Sequence, residues 1–438
     1  MKPPRPPAVD RGDQLLAQAK TSRAMASGLV ARWLGTNDFP DHLLESITRD
    51  RAFLMETVYG VARRRRSLEW ALRPYVAHPP AISVQACLLV GAYQLLFMDH
   101  VPAHAAVNDA VEAAKLAGGP GVAGFANGVM RRLAEQAARI RQELGTQPLG
   151  VRESFPDVLV HRWEAQFGAV RAEALCRWHN ERPRTVIRLD RRRAKVPEFL
   201  ARLQAAGMTG AAAHPFRPDA CIQLPAGVSV AEVPGFDEGL WMVQDPATLV
   251  AVELLAARRG DRVLDACAAP GGKAMCIAEA LDGSGELVAL DVHADRLGPL
   301  QENVARMRAP VRIVQADARD PKLPEQIGRE LFDRILVDVP CTNTGVFRRR
   351  PDARWRFSAA RLTAQARVQK AILENLVRLL KPGGAMVYST CSLEPEENVQ
   401  LVGRWMRRHP DLKSERQVIL FPPDTQTDGA FAALLKKG

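Results

Sequence analysis

The stretch Arg262-Val263-Leu264-Asp265-Ala266-Cys267-Ala268-Ala269-Pro270-Gly271-Gly272-Lys273 runs from an apolar segment through a loop of small residues into a helical pattern. A strand that ends in such a loop and continues as a helix opens an α/β sheet, whose ligand lies off the carboxyl ends of the strands. Alanines and glycines let a backbone come close to a bound group, and the helix start offers N–H groups to an anion or carboxylate. The loop is not of the Walker type, because Lys273 is followed by Ala274 and no glycine leads the motif, and it is not G-x-G-x-x-G. It suits a nucleotide-like ligand that lacks a phosphate chain.

The same alternation continues on either side. Strands are expected at 262–267, 286–291, 311–315, 334–339 and 385–391, and helices at 247–257, 273–280, 294–307, 359–380 and 395–408. This pattern gives a parallel sheet with helices on both faces. Asp291 ends the second strand, where an acid typically holds ribose hydroxyls, and Asp317 follows the third, placed to face an adenine amino group. Either aspartate alone is a common helix cap. The loop and both acids in order describe a pocket for S-adenosylmethionine, and the loop disfavours the competing dinucleotide oxidoreductase. Cysteines follow the last two strands, in Asp338-Val339-Pro340-Cys341 and Ser389-Thr390-Cys391. A lone cysteine usually behaves as a small buried hydrophobe. Two of them past parallel strands, with Asp338 beside one, point to thiolate chemistry.

The 438 residues suggest two or three domains, and 47% hydrophobic with 25% charged residues is ordinary for a soluble globular chain. Without an apolar run of about 18 residues, no membrane span is expected. The start lacks the apolar core of a signal peptide and reads as a disordered arm over 1–12. Seven scattered cysteines without a C-x-x-C pair fit neither a disulfide framework nor a zinc site; they favour a reducing cytoplasm, and no metal is expected. A net charge of +11 favours a polyanion as partner. A monomer is the default expectation.

Residues 13–145 read as a helical bundle, with helices expected at 13–34, 51–72, 83–99, 103–116 and 122–144. Within it, Arg63-Arg64-Arg65-Arg66 reads equally as RNA contact or as a solvated helix end. Residues 146–235 read as a small α+β unit, with a helix at 158–179, a strand at 185–189 and a helix at 197–206. Arg182, Arg184, Arg188 and Arg191-Arg192-Arg193 crowd it, either to meet RNA or as a solvated face. Residues 236–438 form the α/β domain.

Asp265–Lys273, Asp338-Val339-Pro340-Cys341-Thr342-Asn343-Thr344-Gly345, Arg349-Arg350-Pro351-Asp352 with Trp355, and Ser389-Thr390-Cys391-Ser392 resemble the Sun family of RNA 5-cytosine methyltransferases. Gln244-Asp245-Pro246-Ala247, Lys381-Pro382-Gly383-Gly384, Glu394-Pro395-Glu396-Glu397-Asn398 and Thr427-Asp428-Gly429 agree. The resemblance runs from Phe155 to the end, and the block before it is similar to the NusB-like RNA-binding domain. It implies a Rossmann-like methyltransferase domain that uses S-adenosylmethionine to methylate carbon 5 of a cytosine through a cysteine adduct at carbon 6. The NusB-like block favours small-subunit (16S) ribosomal RNA as substrate. Transfer RNA and a non-catalytic assembly factor are the alternatives, and a Cys/His hydrolase is remote because no histidine stands near either cysteine motif.

Spacing does not say which cysteine attacks. Analogy with DNA cytosine methyltransferases would make Cys341, in Pro-Cys, the nucleophile. The family resemblance assigns attack to Cys391, adduct breakdown to Cys341, and contact with both base and methyl donor to Asp338. The implied cofactor residues are Cys267, Ala268, Ala269, Pro270, Gly271, Gly272, Lys273, Asp291, Asp317 and Asp338. Lys273 sits near the methionine end or stabilises the helix start, and Arg348–Arg350 meet phosphates or form a solvated turn. Cys87, Cys176, Cys221 and Cys276 are packing residues. Val339, Thr342 and Asn343 depart from the family's usual Ala, Ser and Gly or Ala, and Asn343 is the largest change.

Overall fold

The structure, a computed structural model, describes residues 11–36, 40–45, 47 and 49–438. The expected arm lies outside them up to Asp10, whereas Arg11 and Gly12 open the first helix, Arg11–Gln18. The chain divides into two compact units, one reaching Asn180 and including Arg350–Arg356, the other formed by Glu181–Arg349 and Phe357–Gly438. The helical unit therefore runs past the boundary expected at 145.

In the helical unit the expected helix over 51–72 is present as Arg51–Leu72. The one expected over 13–34 is broken, because the Thr21 hydroxyl accepts from the Ala24 N–H at 3.2 Å and caps a new helix, Ser22–Gly35. The stretch 158–179 breaks at Gly168, whose φ of 81° suits a residue without a Cβ. Leu54, Val58, Val61 and Ala62, at helical spacing, enter one core with Leu88, Leu89 and Ala92.

The arginine run corrects both of its expected readings. Arg63 is buried. Arg64 meets Glu153 at 3.4 Å and lies over Phe97, Arg65 bonds Glu69 at 2.8 Å and lies over Trp33 and Trp355, and Arg66 holds Asp157 bidentately at 2.7 and 2.8 Å. Arg354 is fully buried, its guanidinium donating to Asn180 Oδ1 at 2.9 Å and to the Ser154 carbonyl at 3.2 Å, with the Phe155 ring 3.8 Å away. Arg63 and Arg354 are buried, and the partly exposed Arg64, Arg65 and Arg66 pair within the same unit.

The second unit contains two sheets. The smaller is built from β1 (Val186–Leu189), β2 (Ala212–His214), β3 (Arg217–Gln223) and β4 (Trp241–Val243), in the order β2-β3-β1-β4. Its last strand lies beyond the boundary expected at 235. Of the arginines expected on a solvated or RNA-facing surface, Arg182, Arg184 and Arg191–Arg193 are exposed, whereas Arg188 is buried against Glu279 at 2.6 Å, which Arg191 also reaches at 3.0 Å.

The larger sheet contains β5 (Arg262–Ala266), β6 (Glu286–Asp291), β7 (Arg312–Gln315), β8 (Phe332–Asp338), β9 (Leu380–Thr390), β10 (Leu412–Leu420) and β11 (Ala430–Lys437), in the order β10-β11-β9-β8-β5-β6-β7. β5 to β9 pair in parallel, while β11 runs antiparallel to both β9 and β10. Alternate residues feed cores on the two faces: Leu264, Val288, Ile335 and Met386 on one, Val263, Leu287, Leu336 and Val387 on the other. The chain winds outward from β5 through β6 to β7, then returns to β8 on the other side of β5. The crevice off the carboxyl ends of β5 and β8 is therefore the topological switch point, where such sheets take ligands.

Candidate active site

Strand register explains how two cysteines fifty residues apart meet. β8 and β9 are parallel neighbours with Asp338 opposite Ser389, so the segments that leave them start side by side. Three residues past Asp338 and two past Ser389, the Cys341 and Cys391 sulfurs stand 3.3 Å apart. Asn343, at φ 62°, turns its side-chain oxygen toward both, 3.2 Å from Cys391 Sγ and 3.8 Å from Cys341 Sγ. Asparagine tolerates this left-handed region better than most residues. The hydrogen bond to Cys391, together with burial, pushes the Cys341 thiol well above the ordinary range.

Asp338 is engaged at both oxygens. Oδ2 accepts from Lys273 Nζ at 2.6 Å and Oδ1 accepts from Ser389 Oγ at 2.7 Å. Lys273 thus ties the start of the helix Gly272–Leu281 to the end of β8, a role neither expected reading contained. Burial works against its ammonium, but the Asp338 carboxylate outweighs that and raises its pKa. A small cavity of about 60 Å³ is bounded by Lys273, Asp338, Ser389, Cys391 and Phe431.

The loop after β5 is held down by its own backbone. The Cys267 and Ala268 N–H groups both donate to the Leu290 carbonyl, at 2.9 and 2.8 Å. Cys267 stands at φ 78° and Gly271 at φ 107°, and a Cβ on Gly271 would sit 2.7 Å from a Leu300 methyl. Ala269-Pro270 lies between them in the same turn, and Gly272 starts the helix. Burial raises the Cys267 thiol and keeps it a poor nucleophile. Asp291, at the end of β6, is buried and accepts from the His293 N–H at 3.0 Å. Asp317 is farther out and held by Arg319, whose guanidinium reaches it at 2.7 to 3.1 Å and lowers its pKa through those bonds.

The sequence reading missed Asp265 as a site residue. It ends the apolar part of β5 at 0% exposure, and neither carboxylate oxygen has a hydrogen-bond partner among the described residues. Burial pushes its pKa up to about 7, with Lys273 drawing it down and Asp338 and Asp291 pushing it further up. A buried carboxylate without partners is rare because its desolvation is uncompensated. The available signal was an acid inside an otherwise apolar strand.

Arg349 is neither a phosphate ligand nor a solvated turn. It bridges Asp245 at 2.8 Å and Asp428 at 2.9 Å, fastening the loop after Cys341 to the segment before β11. Gly345 and Gly429 pack back to back there: a Cβ on either would come within 2.8 Å of the other's Cα. The Gly345 N–H donates to the Cys391 carbonyl at 2.9 Å, which ties the two cysteine loops together. Among the described residues, no group of three or more His, Cys, Asp or Glu is placed to hold a metal ion, and no helix is long and apolar enough to cross a membrane.

Comparison with known proteins agrees with this architecture. Residues 252–436 match the model of the 16S rRNA methyltransferase RsmB/F family, residues 20–135 that of the NusB family, and residues 155–231 that of an RsmF/B-like ferredoxin-like domain. Ribosomal RNA small subunit methyltransferase B of Erwinia tasmaniensis is 35% identical over 401 residues, covering 89% of this chain and 91% of that protein. The probable ribosomal RNA small subunit methyltransferase B of Bacillus subtilis is 30% identical, covering 92% and 88%. Among solved structures, the crystal structure of PH0851 superposes with a TM-score of 0.76 at 25% identity, covering 96% of this chain and 99% of that one. That of NSun6 from Pyrococcus horikoshii with SFG gives 0.59 at 23%, covering 65% and 99%, and supports the fold.

Proposed function

The chain belongs to the ribosomal RNA small subunit methyltransferase B family, and on that premise we propose that it methylates carbon 5 of a cytosine in small-subunit ribosomal RNA, with S-adenosylmethionine as methyl donor. The observation that carries the reading is the pair of sulfurs 3.3 Å apart, beside Asp338 and Lys273, at the switch point of the sheet.

The residues around the switch point fit the donor. Asp265 offers two unpartnered acceptor oxygens, which suit the methionine ammonium; a sulfonium has no N–H to give. Asp291 suits the ribose and Asp317 the adenine, provided Arg319 yields. The turn 267–272 allows close approach, since Gly271 has no room for a Cβ. When bound, S-adenosylmethionine supplies an electrophilic methyl group.

The chain's own groups make carbon 5 able to accept it. The Cys391 thiol loses its proton and its sulfur bonds to carbon 6 of the cytosine, so that the carbon 5–carbon 6 electron pair becomes available at carbon 5. Asp338 faces the ring and offsets charge that develops there. After carbon 5 takes the methyl, its proton leaves, the double bond re-forms and the carbon–sulfur bond breaks, returning Cys391. Cys341, one sulfur diameter away, assists that last step. Asn343, with its side-chain oxygen facing both sulfurs, shapes the slot, while Val339 packs in the core.

Two measurements test this. In a denaturing gel, Cys341→Ser accumulates a covalent RNA adduct and Cys391→Ser does not; the reverse pattern exchanges the roles. Bisulfite sequencing of ribosomal RNA from cells lacking the gene shows one lost 5-methylcytosine in the small-subunit RNA, and an unchanged map sinks the substrate assignment.

A further inference from the structure

We infer that Glu397 and Gln369 are positioning residues that fix the backbone of Cys341 and thereby set its distance from Cys391. The inference rests on the roles given to the two thiols above. Gln369, on the helix Ala359–Leu376, donates from Nε2 to the Pro340 carbonyl at 3.0 Å and to Glu397 Oε1 at 2.9 Å. The Glu397 carboxylate accepts the Thr342 N–H at 3.0 and 3.2 Å and also accepts the Thr342 hydroxyl. The peptide group before Cys341 is thus anchored by its oxygen and the peptide group after it by its N–H. Because peptide units are planar, anchoring both restricts the two soft dihedrals of Cys341 that lie between them.

The same network reaches the other thiol. The Tyr388 hydroxyl donates to the Glu397 carbonyl at 2.6 Å and stands 3.2 Å from Gln369 Oε1, and Tyr388 lies in β9, three residues before Cys391. Tyr388, Gln369 and Glu397 are all at 0% exposure and Thr342 at 4%, so water does not substitute for any of these bonds. The Glu397 side chain is met by donors alone: the Thr342 N–H, the Thr342 hydroxyl, the Gln369 amide and the Ser392 hydroxyl. An acceptor-only group fits that shell, whereas an amide must turn its own NH2 onto a donor. Burial raises the Glu397 pKa, and the hydrogen bonds from Ser392, Thr342 and Gln369 pull it back down. Thr342 is also one of the positions that depart from the family's usual residue, and it keeps the hydroxyl that the bracket uses.

The test compares wild type with Glu397→Gln, Thr342→Val and Thr342→Ser. Steady-state kinetics are measured alongside the fraction of enzyme held as RNA adduct during turnover. A displacement on the order of 1 Å at a reacting group costs about 100-fold in rate. We expect Glu397→Gln and Thr342→Val to lower kcat by roughly 10- to 100-fold on that basis, to leave KM for S-adenosylmethionine within about twofold, and to raise the adduct fraction, because release depends on Cys341. Thr342→Ser, which keeps the hydroxyl, restores wild-type kcat and adduct fraction. Thr342→Val guards against a Glu397→Gln chain that does not fold. Unchanged kcat and adduct fraction in folded variants overturn the inference, as does a loss of kcat without any rise in adduct. If wild type and Cys341→Ser form no adduct at all, the covalent assignment fails instead, and the two failures are told apart.

Discussion

Replacing Asp265 by asparagine should make the ligand-free enzyme more stable and its grip on the methyl donor weaker. The carboxyl is fully buried, without partners, and its pKa is pushed up from 3.8 to about 7 by burial. That gap corresponds to roughly 4 kcal/mol at about 1.4 kcal/mol per unit. The sign follows from proton linkage. A carboxyl whose folded pKa is raised contributes stability that is complete below the unfolded value near 4 and lost as pH rises through 7. At pH 8 the wild type therefore carries an uncompensated buried charge, and at pH 5 a mostly neutral acid. Asparagine removes the charge but buries an amide with unpaired donors, at a cost of about 1 to 3 kcal/mol. The net gain at pH 8 is therefore about 1 to 3 kcal/mol, shrinking to nothing or reversing at pH 5. With donor bound that gain shrinks or reverses, because a charge-assisted hydrogen bond of about 1.5 to 3 kcal/mol is lost, raising Kd by roughly 10- to 100-fold. Urea unfolding at both pH values, with and without S-adenosylmethionine, and a calorimetric titration read all four quantities. A D265N protein that is less stable than wild type at pH 8 without ligand, or that binds the donor equally well, refutes the reasoning.

Other perturbations probe the rest of the site. Lys273→Met leaves Asp338 without its cation at 2.6 Å, and we expect kcat to fall by about 10- to 100-fold, consistent with loss of a charge-assisted bond of about 1.5 to 3 kcal/mol; rapid-quench methyl transfer reads it. Asn343→Gly removes the acceptor 3.2 Å from Cys391 Sγ while suiting the φ of 62°. Loss of a bond of about 0.5 to 1.5 kcal/mol should speed alkylation of Cys391 by about 2- to 12-fold, followed by mass spectrometry. Arg349→Met strands Asp245 and Asp428 side by side. The cost, about 2 to 4 kcal/mol in urea unfolding at pH 8, falls short of a fully buried pair because 30% of the Arg349 side chain reaches solvent.

The parallel strands β5, β6, β8 and β9 were legible because each carries a buried apolar run that leads to an acid or a cysteine, and the short edge strand β7, only partly buried, was legible from its β-branched pair Ile313-Val314. The two antiparallel strands were not. β10, Leu412–Leu420, is buried only at its ends, so an edge strand carries no apolar period to read. β11, Ala-Phe-Ala-Ala-Leu-Leu-Lys-Lys, is made of good helix formers and becomes a strand because β9 and β10 flank it and bury it. The arginines misled for a related reason. Arg66 and Asp157 are ninety-one residues apart, and Arg188 and Glu279 are as far, so pairing that draws single cations out of a basic cluster into the fold is invisible along the chain. The thiol pair was half legible: both cysteines stood at strand ends, but their distance depends on the register that sets Asp338 opposite Ser389.

Two buried carboxylates show how such a structure separates support from binding. Glu397 and Asp265 are both at 0% exposure, and both are pushed upward by burial. Glu397 has part of the cost of burial offset from within the fold, by the Thr342 backbone, the Thr342 hydroxyl and Gln369. Asp265 has no hydrogen bond to offset it, only the nearby charge of Lys273. A satisfied buried acid stabilises whatever geometry satisfies it, and so it can hold a loop. An unsatisfied one destabilises the fold until something arrives with donors of its own, and so it can hold a ligand. The two mutations should therefore move stability in opposite directions at pH 8 without ligand: asparagine at 265 upward, glutamine at 397 downward. Added donor should narrow the first difference and leave the second as it was, because only Asp265 has a bond left to make.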